Sequence, residues 1–167
     1  MITVIDAPGN KQRFLILDAP THDTLKNYIE PLKRENVRHL VRVCQRHLDY
    51  DVHELERLTG VEVTDTIKFD DGTVPSPEDI HQWLQLSEDA QQHGQTIAVH
   101  CVSGIGRAPV LVTLSLIEGG MDNLDAISYV RKHRRGALNK KQVRFIDEYK
   151  PIHARKASAF TKFKRWF

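Results

Sequence analysis

Along this 167-residue chain the hydrophobic and polar positions alternate between two periods. Arg13–Leu17 is a short apolar run of the kind a buried strand shows. Asp23–Glu35 instead places Leu25, Tyr28, Ile29 and Leu32 at helical spacing. Pro31 inside that segment lacks an amide donor and should kink the helix. Val37–Cys44 reads as a strand, Val52–Leu58 as a short helix closed by Gly60, and Val61–Phe69 as an extended strand or loop. Ser76-Pro77-Glu78-Asp79 joins a hydroxyl cap to a first-turn proline. It predicts a helix to about His93 that buries Ile80, Trp83, Leu84 and Leu86. Thr96–His100 is a short buried strand, and three helical patterns follow it. These are Ala108–Glu118, Asn123–Lys132 (burying Leu124, Ile127 and Val130) and Lys140–Tyr149, the last capped by Asn139 with Gln142 three residues on.

Repeated strand–helix alternation predicts an α/β fold with a central, mainly parallel sheet and helices on both faces. Ligands in such sheets sit beyond the carboxyl ends of the strands, where His100-Cys101 falls. Residues 1–150 are expected to form a single domain and 151–167 a tail. Composition adds modest limits. Hydrophobic content of 40% and charge of 28% are ordinary for a globular chain. No apolar run suits a membrane span, and the N-terminus lacks a secretory pattern. Two cysteines exclude a disulfide scaffold. Five of the 24 basic residues and none of the 22 acidic ones fall in 151–167, so a mildly acidic body carries a basic tail.

The strongest chemical signal is residues 100–109, His-Cys-Val-Ser-Gly-Ile-Gly-Arg-Ala-Pro. A glycine-bearing turn between a strand and a helix can point consecutive N–H groups at an anion, and the helix adds its positive end. Val102, Ser103, Gly104, Ile105 and Gly106 would form that cradle. Cys101 at its mouth would be stabilised as the nucleophilic thiolate. Arg107 offers a planar fork to two phosphate oxygens. The plainer alternative is a buried structural cysteine beside a glycine turn.

This stretch resembles the signature of cysteine-dependent protein phosphatases, and residues 100–121 are most similar to the PRL family, the phosphatases of regenerating liver. Matching segments include RFLI at 13–16, PT at 20–21, VRVC at 41–44, FDDG at 69–72, RRGALN at 134–139 and YKP at 149–151. They span about Arg13 to Pro151. The resemblance implies the cysteine-dependent phosphatase fold and a dual-specificity tyrosine phosphatase acting through a phosphocysteine, with no cofactor and no metal. A phosphorylated protein or a phosphoinositide would be the substrate. It makes Asp71 the general acid, although Asp70 and Asp71 could equally cap and solvate an Asp-Gly turn. The family's Trp-Pro pair before the phenylalanine is Ile67-Lys68 here, which puts lid closure in doubt.

The resemblance gives His100 a supporting role, holding the loop rather than moving a proton. Most related phosphatases carry Ser or Thr after the signature arginine, whereas Ala108 has no hydroxyl, as in PRL proteins. Phosphocysteine hydrolysis should therefore be slow. Cys44 ends one strand and Cys101 follows another. On neighbouring parallel strands about 4.8 Å apart they could form a disulfide, as the family implies, or Cys44 could be inert core. Arg134 and Arg135 are expected to rim the pocket and attract an acidic partner, or else to form a solvated basic helix end. Phe160, Phe163, Trp166 and Phe167, with the basic residues of 155–167, could lie on an anionic membrane surface, pack on the body or stay disordered. Family members carry a C-terminal prenylation motif, and this chain ends Lys-Arg-Trp-Phe without a cysteine. A thiolate enzyme favours reducing surroundings, hence a cytoplasmic location, peripheral at the inner membrane surface if the tail binds. A second reading makes the same pocket a switched binding module for cyclin-M-type magnesium transporters. Nucleic acid is not an expected partner, because no stacking platform accompanies the basic residues.

Overall fold

A computed structural model describes residues 1–44 and 49–152. The elements in chain order are β1 (Ile2–Asp6), β2 (Arg13–Leu17), α1 (Lys26–Arg34), β3 (Val37–Arg42), α2 (Val52–Thr59), β4 (Glu62–Thr64), α3 (Pro77–Gln92), β5 (Thr96–His100), α4 (Arg107–Glu118), α5 (Asn123–His133) and α6 (Lys140–Glu148). The sheet runs in the order β1-β2-β5-β3-β4. All neighbours are parallel except β1, which pairs antiparallel with β2. β1 lies outside the elements the sequence pattern predicts. It is an edge strand whose partly exposed residues blur the period.

Every residue of β5 is buried, because β2 and β3 flank it and helices cover both faces. Side chains alternate between two cores. Phe14, Ile16, Val41, Ile97 and Val99 meet Trp83 of α3, Leu111 and Leu114 of α4, Val130 of α5 and Ile146 of α6. Leu15, Leu17, Leu40 and Ala98 point the other way, against Leu32 of α1 and Leu55 of α2. α4 is apolar on all sides and buried from Arg107 to Ile117, since it packs on α3, α5, α6, β2 and β5. That placement puts its N-terminus directly after the end of the central strand.

Local signals explain most boundaries. Asp51, Ser76, Asp122 and Asn139 each cap a helix with a side-chain oxygen, and Ser76 and Asn139 do so in reciprocal capping boxes. Gly60 closes α2 in the left-handed conformation, φ 73°. α1 is shorter than its apolar pattern and runs through Pro31, where the expected kink does not end it. Packing of Tyr28 and Leu32 on the second core outweighs the one lost hydrogen bond. Among the described residues no helix is long and apolar enough to cross a membrane.

The caps are testable away from any chemistry. Asp122 accepts from Leu124 N at 3.1 Å and Asp125 N at 3.3 Å on the exposed end of α5. Asp122→Ala should lower unfolding stability by about 1 kcal/mol in urea titrations and leave catalytic rates unchanged.

Candidate active site

The segment joining β5 to α4 is turned inside out. Four consecutive carbonyls are held from outside the turn. Val102 O accepts from Ala19 N at 2.9 Å and Ile105 O from Leu138 N at 2.8 Å. Between them, Ser103 O accepts from Arg134 Nη2 at 3.2 Å and Gly104 O from Arg134 Nε at 2.6 Å. In a trans peptide the N–H points opposite to the C=O, and no peptide here is cis. The N–H groups of residues 103–106 therefore face the inside of the turn, and that of Gly104 donates to Cys101 Sγ at 3.2 Å. Gly104 has φ 75°, and a Cβ there would lie 2.3 Å from Arg134 Nη2, so only glycine fits. Cys101 is buried, 2% exposed, at the positive end of α4.

Arg107 opens α4 and is 5% exposed. Its Nη1 donates to Phe69 O at 3.3 Å, while its Nε is buried with no hydrogen-bond partner. A buried charged donor without a hydrogen bond is costly, and an anion oxygen in the turn would satisfy it. Asp71 Oδ1 stands 3.8 Å from that Nε, and the Asp71 side chain is 87% exposed.

The Asp71 loop is fixed by α6. Asn139 Oδ1 and Gln142 Oε1 form the capping box, which leaves both amide nitrogens free. Asn139 Nδ2 donates to Gly72 O at 3.0 Å, and Gln142 Nε2 donates to Thr73 O at 3.1 Å. Sequence reasoning reads these two residues as a cap only. The capping-box motif shows the oxygens at work and carries no trace of what the nitrogens meet. A cavity of about 360 Å³ opens between the two loops, lined by Asp71, Gly72, Ser103, Ile105, Leu138 and Asn139 among others. Val102 and Ile105 expose apolar side chains on the turn, 40% and 43%.

His100, next to Cys101 in the chain, is fully buried. Its Nδ1 lies 3.0 Å from Cys101 O and its Nε2 2.8 Å from Tyr50 Oη. A carbonyl can only accept, so Nδ1 carries the proton and Nε2 accepts from the Tyr50 hydroxyl. Burial pushes the imidazole down to about 4, against the opposing bond to Cys101 O and with help from nearby Arg42. Burial also raises the Tyr50 hydroxyl above its ordinary range. The pair is neutral at pH 7. Tyr50 is a site residue that sequence reasoning misses, because no motif surrounds it.

Cys44 is buried where β3 leaves the sheet, next to β5. Arg42 pairs with His100 and Val43 N donates to His100 O, so the two cysteines leave adjacent strands at the same edge, both as free thiols. Ala108 is fully buried in the first turn of α4. Arg134 corrects the expectation of a pocket rim. It is 2% exposed and lies beneath the turn, neither at the rim nor solvated. The hydrogen-bond demand of two loop carbonyls draws it inward, while Arg135 remains exposed. Residues 155–167, the expected membrane-binding tail, lie outside the described residues.

Comparison with known proteins agrees with this geometry. Residues 17–121 match a family model described as a polymorphic toxin system, DSP-PTPase phosphatase. The chain is 44% identical over 144 residues to a probable protein tyrosine phosphatase type IVA A of Dictyostelium discoideum, covering 85% of this chain and 84% of that protein. It is 45% identical over 149 residues to protein tyrosine phosphatase type IVA 3 of Homo sapiens, covering 88% and 84%. A solved structure described as a putative protein tyrosine phosphatase from Leishmania major superposes with a TM-score of 0.77 at 39% identity, covering 89% and 98%.

Two outcomes are expected from this geometry. Asn139→Asp keeps the cap oxygen and removes the donor to Gly72 O, so turnover of an aryl phosphate should fall several-fold while the melting point drops less than for Asn139→Ala. His100 is depressed on folding, so its contribution to stability is complete above its unfolded value near 6.5 and declines as the pH falls towards about 4. At 1.36 kcal/mol per unit that loss is on the order of 3 kcal/mol. Urea titrations from pH 7 to pH 4 should show it, with a flatter profile for His100→Asn.

Proposed function

The chain belongs to the PRL, or type IVA, protein tyrosine phosphatases, and from that premise we propose how its own residues hydrolyse a phosphate monoester. The carrying observation is the buried Arg107 Nε, which makes no hydrogen bond, beside inward-facing N–H groups. A phosphoryl group seated in the turn receives those N–H groups and the Arg107 fork on its equatorial oxygens. The Cys101 thiolate attacks phosphorus, and the bond to the leaving oxygen breaks. Asp71 gives that oxygen its proton and becomes a carboxylate. Water, losing a proton to Asp71, then attacks the phosphocysteine and returns phosphate and the thiolate. The acid loop reaches this position through the Asn139 and Gln142 bonds.

Ala108 brings no hydroxyl to the departing thiolate, which makes the second step slow. A rapid-mixing time course with an aryl phosphate under strong reduction reads this directly. A burst of about one equivalent of phenol, then a slow phase, is the expected outcome, with no phenol from Cys101→Ser. Brisk linear release without a burst would remove the account of Ala108.

A long-lived phosphocysteine also suits a binding role. The alternative function, a switched module for cyclin-M-type magnesium transporters, rests on the resemblance in sequence, as does peripheral attachment to the inner membrane surface through 155–167. The two buried thiols leaving one sheet edge favour redox control of the same pocket. Peroxide converts the Cys101 thiolate to a sulfenic acid, and Cys44 sulfur displaces water to form a disulfide. Peptide mapping without reductant after peroxide treatment should find Cys44 joined to Cys101. Recovery of Cys101 only as sulfinic or sulfonic acid would exclude the pairing.

A further inference from the structure

Arg134 is far more extensively bonded than an exposed rim residue would be. Its Nε and Nη2 hold Gly104 O and Ser103 O, and its Nη1 reaches Thr3 Oγ1 at 2.8 Å, Met1 O at 3.3 Å and Ile16 O at 3.4 Å. One planar guanidinium thus ties the turn to β1 and β2. The two carbonyls it holds belong to the peptide units whose N–H groups are those of Gly104 and Ile105. Fixing each C=O fixes the opposite N–H, because the unit is planar. Gly104 N–H accordingly points at Cys101 Sγ. Ile105 N–H also points away from Arg134, and lies 3.4 Å from Ser103 Oγ.

We infer that Arg134 is a positioning residue for the phosphate cradle: it sets the peptide planes of 103–105 so that their N–H groups meet the nucleophile and the phosphoryl oxygens. It never touches substrate. Its charge acts on the Asp18 carboxylate and the Cys101 sulfur, so it adds a cation near the nucleophile. Lysine cannot replace it, since a single ammonium has no planar fork to hold two adjacent carbonyls at once. The contact also explains the glycine at 104, whose missing side chain leaves the space Nη2 occupies.

The inference rests on reading residues 101–107 as the phosphate cradle, and the test separates the two. Inorganic vanadate affinity, the rate of Cys101 alkylation by iodoacetamide at pH 6 and the melting point are measured for wild type, Arg134→Gln, Arg134→Lys and Thr3→Val. Thr3→Val removes an Arg134 contact away from the turn and serves as the stability control. Both Arg134 variants should bind vanadate about tenfold more weakly and alkylate several-fold more slowly, while Thr3→Val retains wild-type values despite a lower melting point. If Arg134→Gln does not fold, Arg134→Lys alone carries the comparison. Folded Arg134 variants with wild-type affinity and alkylation would overturn the inference. So would a loss in Thr3→Val as large as that in the Arg134 variants, since stability alone would then explain both. A wild-type protein that binds no vanadate would overturn the cradle reading and this inference with it.

Discussion

A turn whose N–H groups converge on one space cannot also present its own carbonyl oxygens there, and the site follows from how that conflict is resolved. Each carbonyl of residues 102–105 is turned outward, where burial demands a donor. Four donors from three places in the chain meet the demand: Ala19 just past β2, the two arms of Arg134 at the end of α5, and Leu138 in the next connection. Cys101 O and Gly106 O find theirs in His100 Nδ1 and the first turn of α4. With every carbonyl held behind, the N–H groups converge in front without further instruction. Sheet, helices and connections all serve that one backbone conformation.

The connection between α5 and α6 carries much of the load. Within residues 134–142, Arg134 and Leu138 hold the nucleophile turn, while Asn139 and Gln142 hold the Asp71 loop. Such reach needs an unusual backbone. Gly136 takes φ 82° without penalty, but Leu138 takes φ 71°, which costs a side-chain-bearing residue about 1–2 kcal/mol. Burial of the Leu138 side chain and its bond to Ile105 O offset that cost. The Cys101 turn and the Asp71 loop come from segments some thirty residues apart, and this third segment is bonded to both.

Charge is distributed unevenly around Cys101. Arg107, at the far end of the same turn, and Arg134, whose charge acts on the Cys101 sulfur, are both nearly inaccessible. The neighbouring His100 is kept neutral by burial, with help from nearby Arg42 and against the opposing pull of its bond to Cys101 O. A protonated histidine there would be repelled by the buried Arg42 guanidinium; a neutral one orients the loop without adding charge. Ordinary surface ion pairs elsewhere, such as Arg13 with Asp6, contribute little by comparison.

By itself the sequence determined the chemical inventory and most of the scaffold. Periodicity located β2, β3 and β5 and the helices after them, because each buries one face or all of itself. The cysteine, glycines and arginine of 101–107 were readable because each is required by a local conformation or by the reaction. The parts that remained hidden depend on contacts between distant segments. β1 is weakly patterned because it needs only one partner. Arg134 looked like a surface residue because nothing in a basic helix end announces that two carbonyls thirty and thirty-one residues away require it. Tyr50, and the second roles of Asn139 and Gln142, depend likewise on which donor lies beside which acceptor after folding. A side chain's chemical type is written in the sequence. Its hydrogen-bond partner is decided only when the tertiary structure closes and every buried polar group must find one.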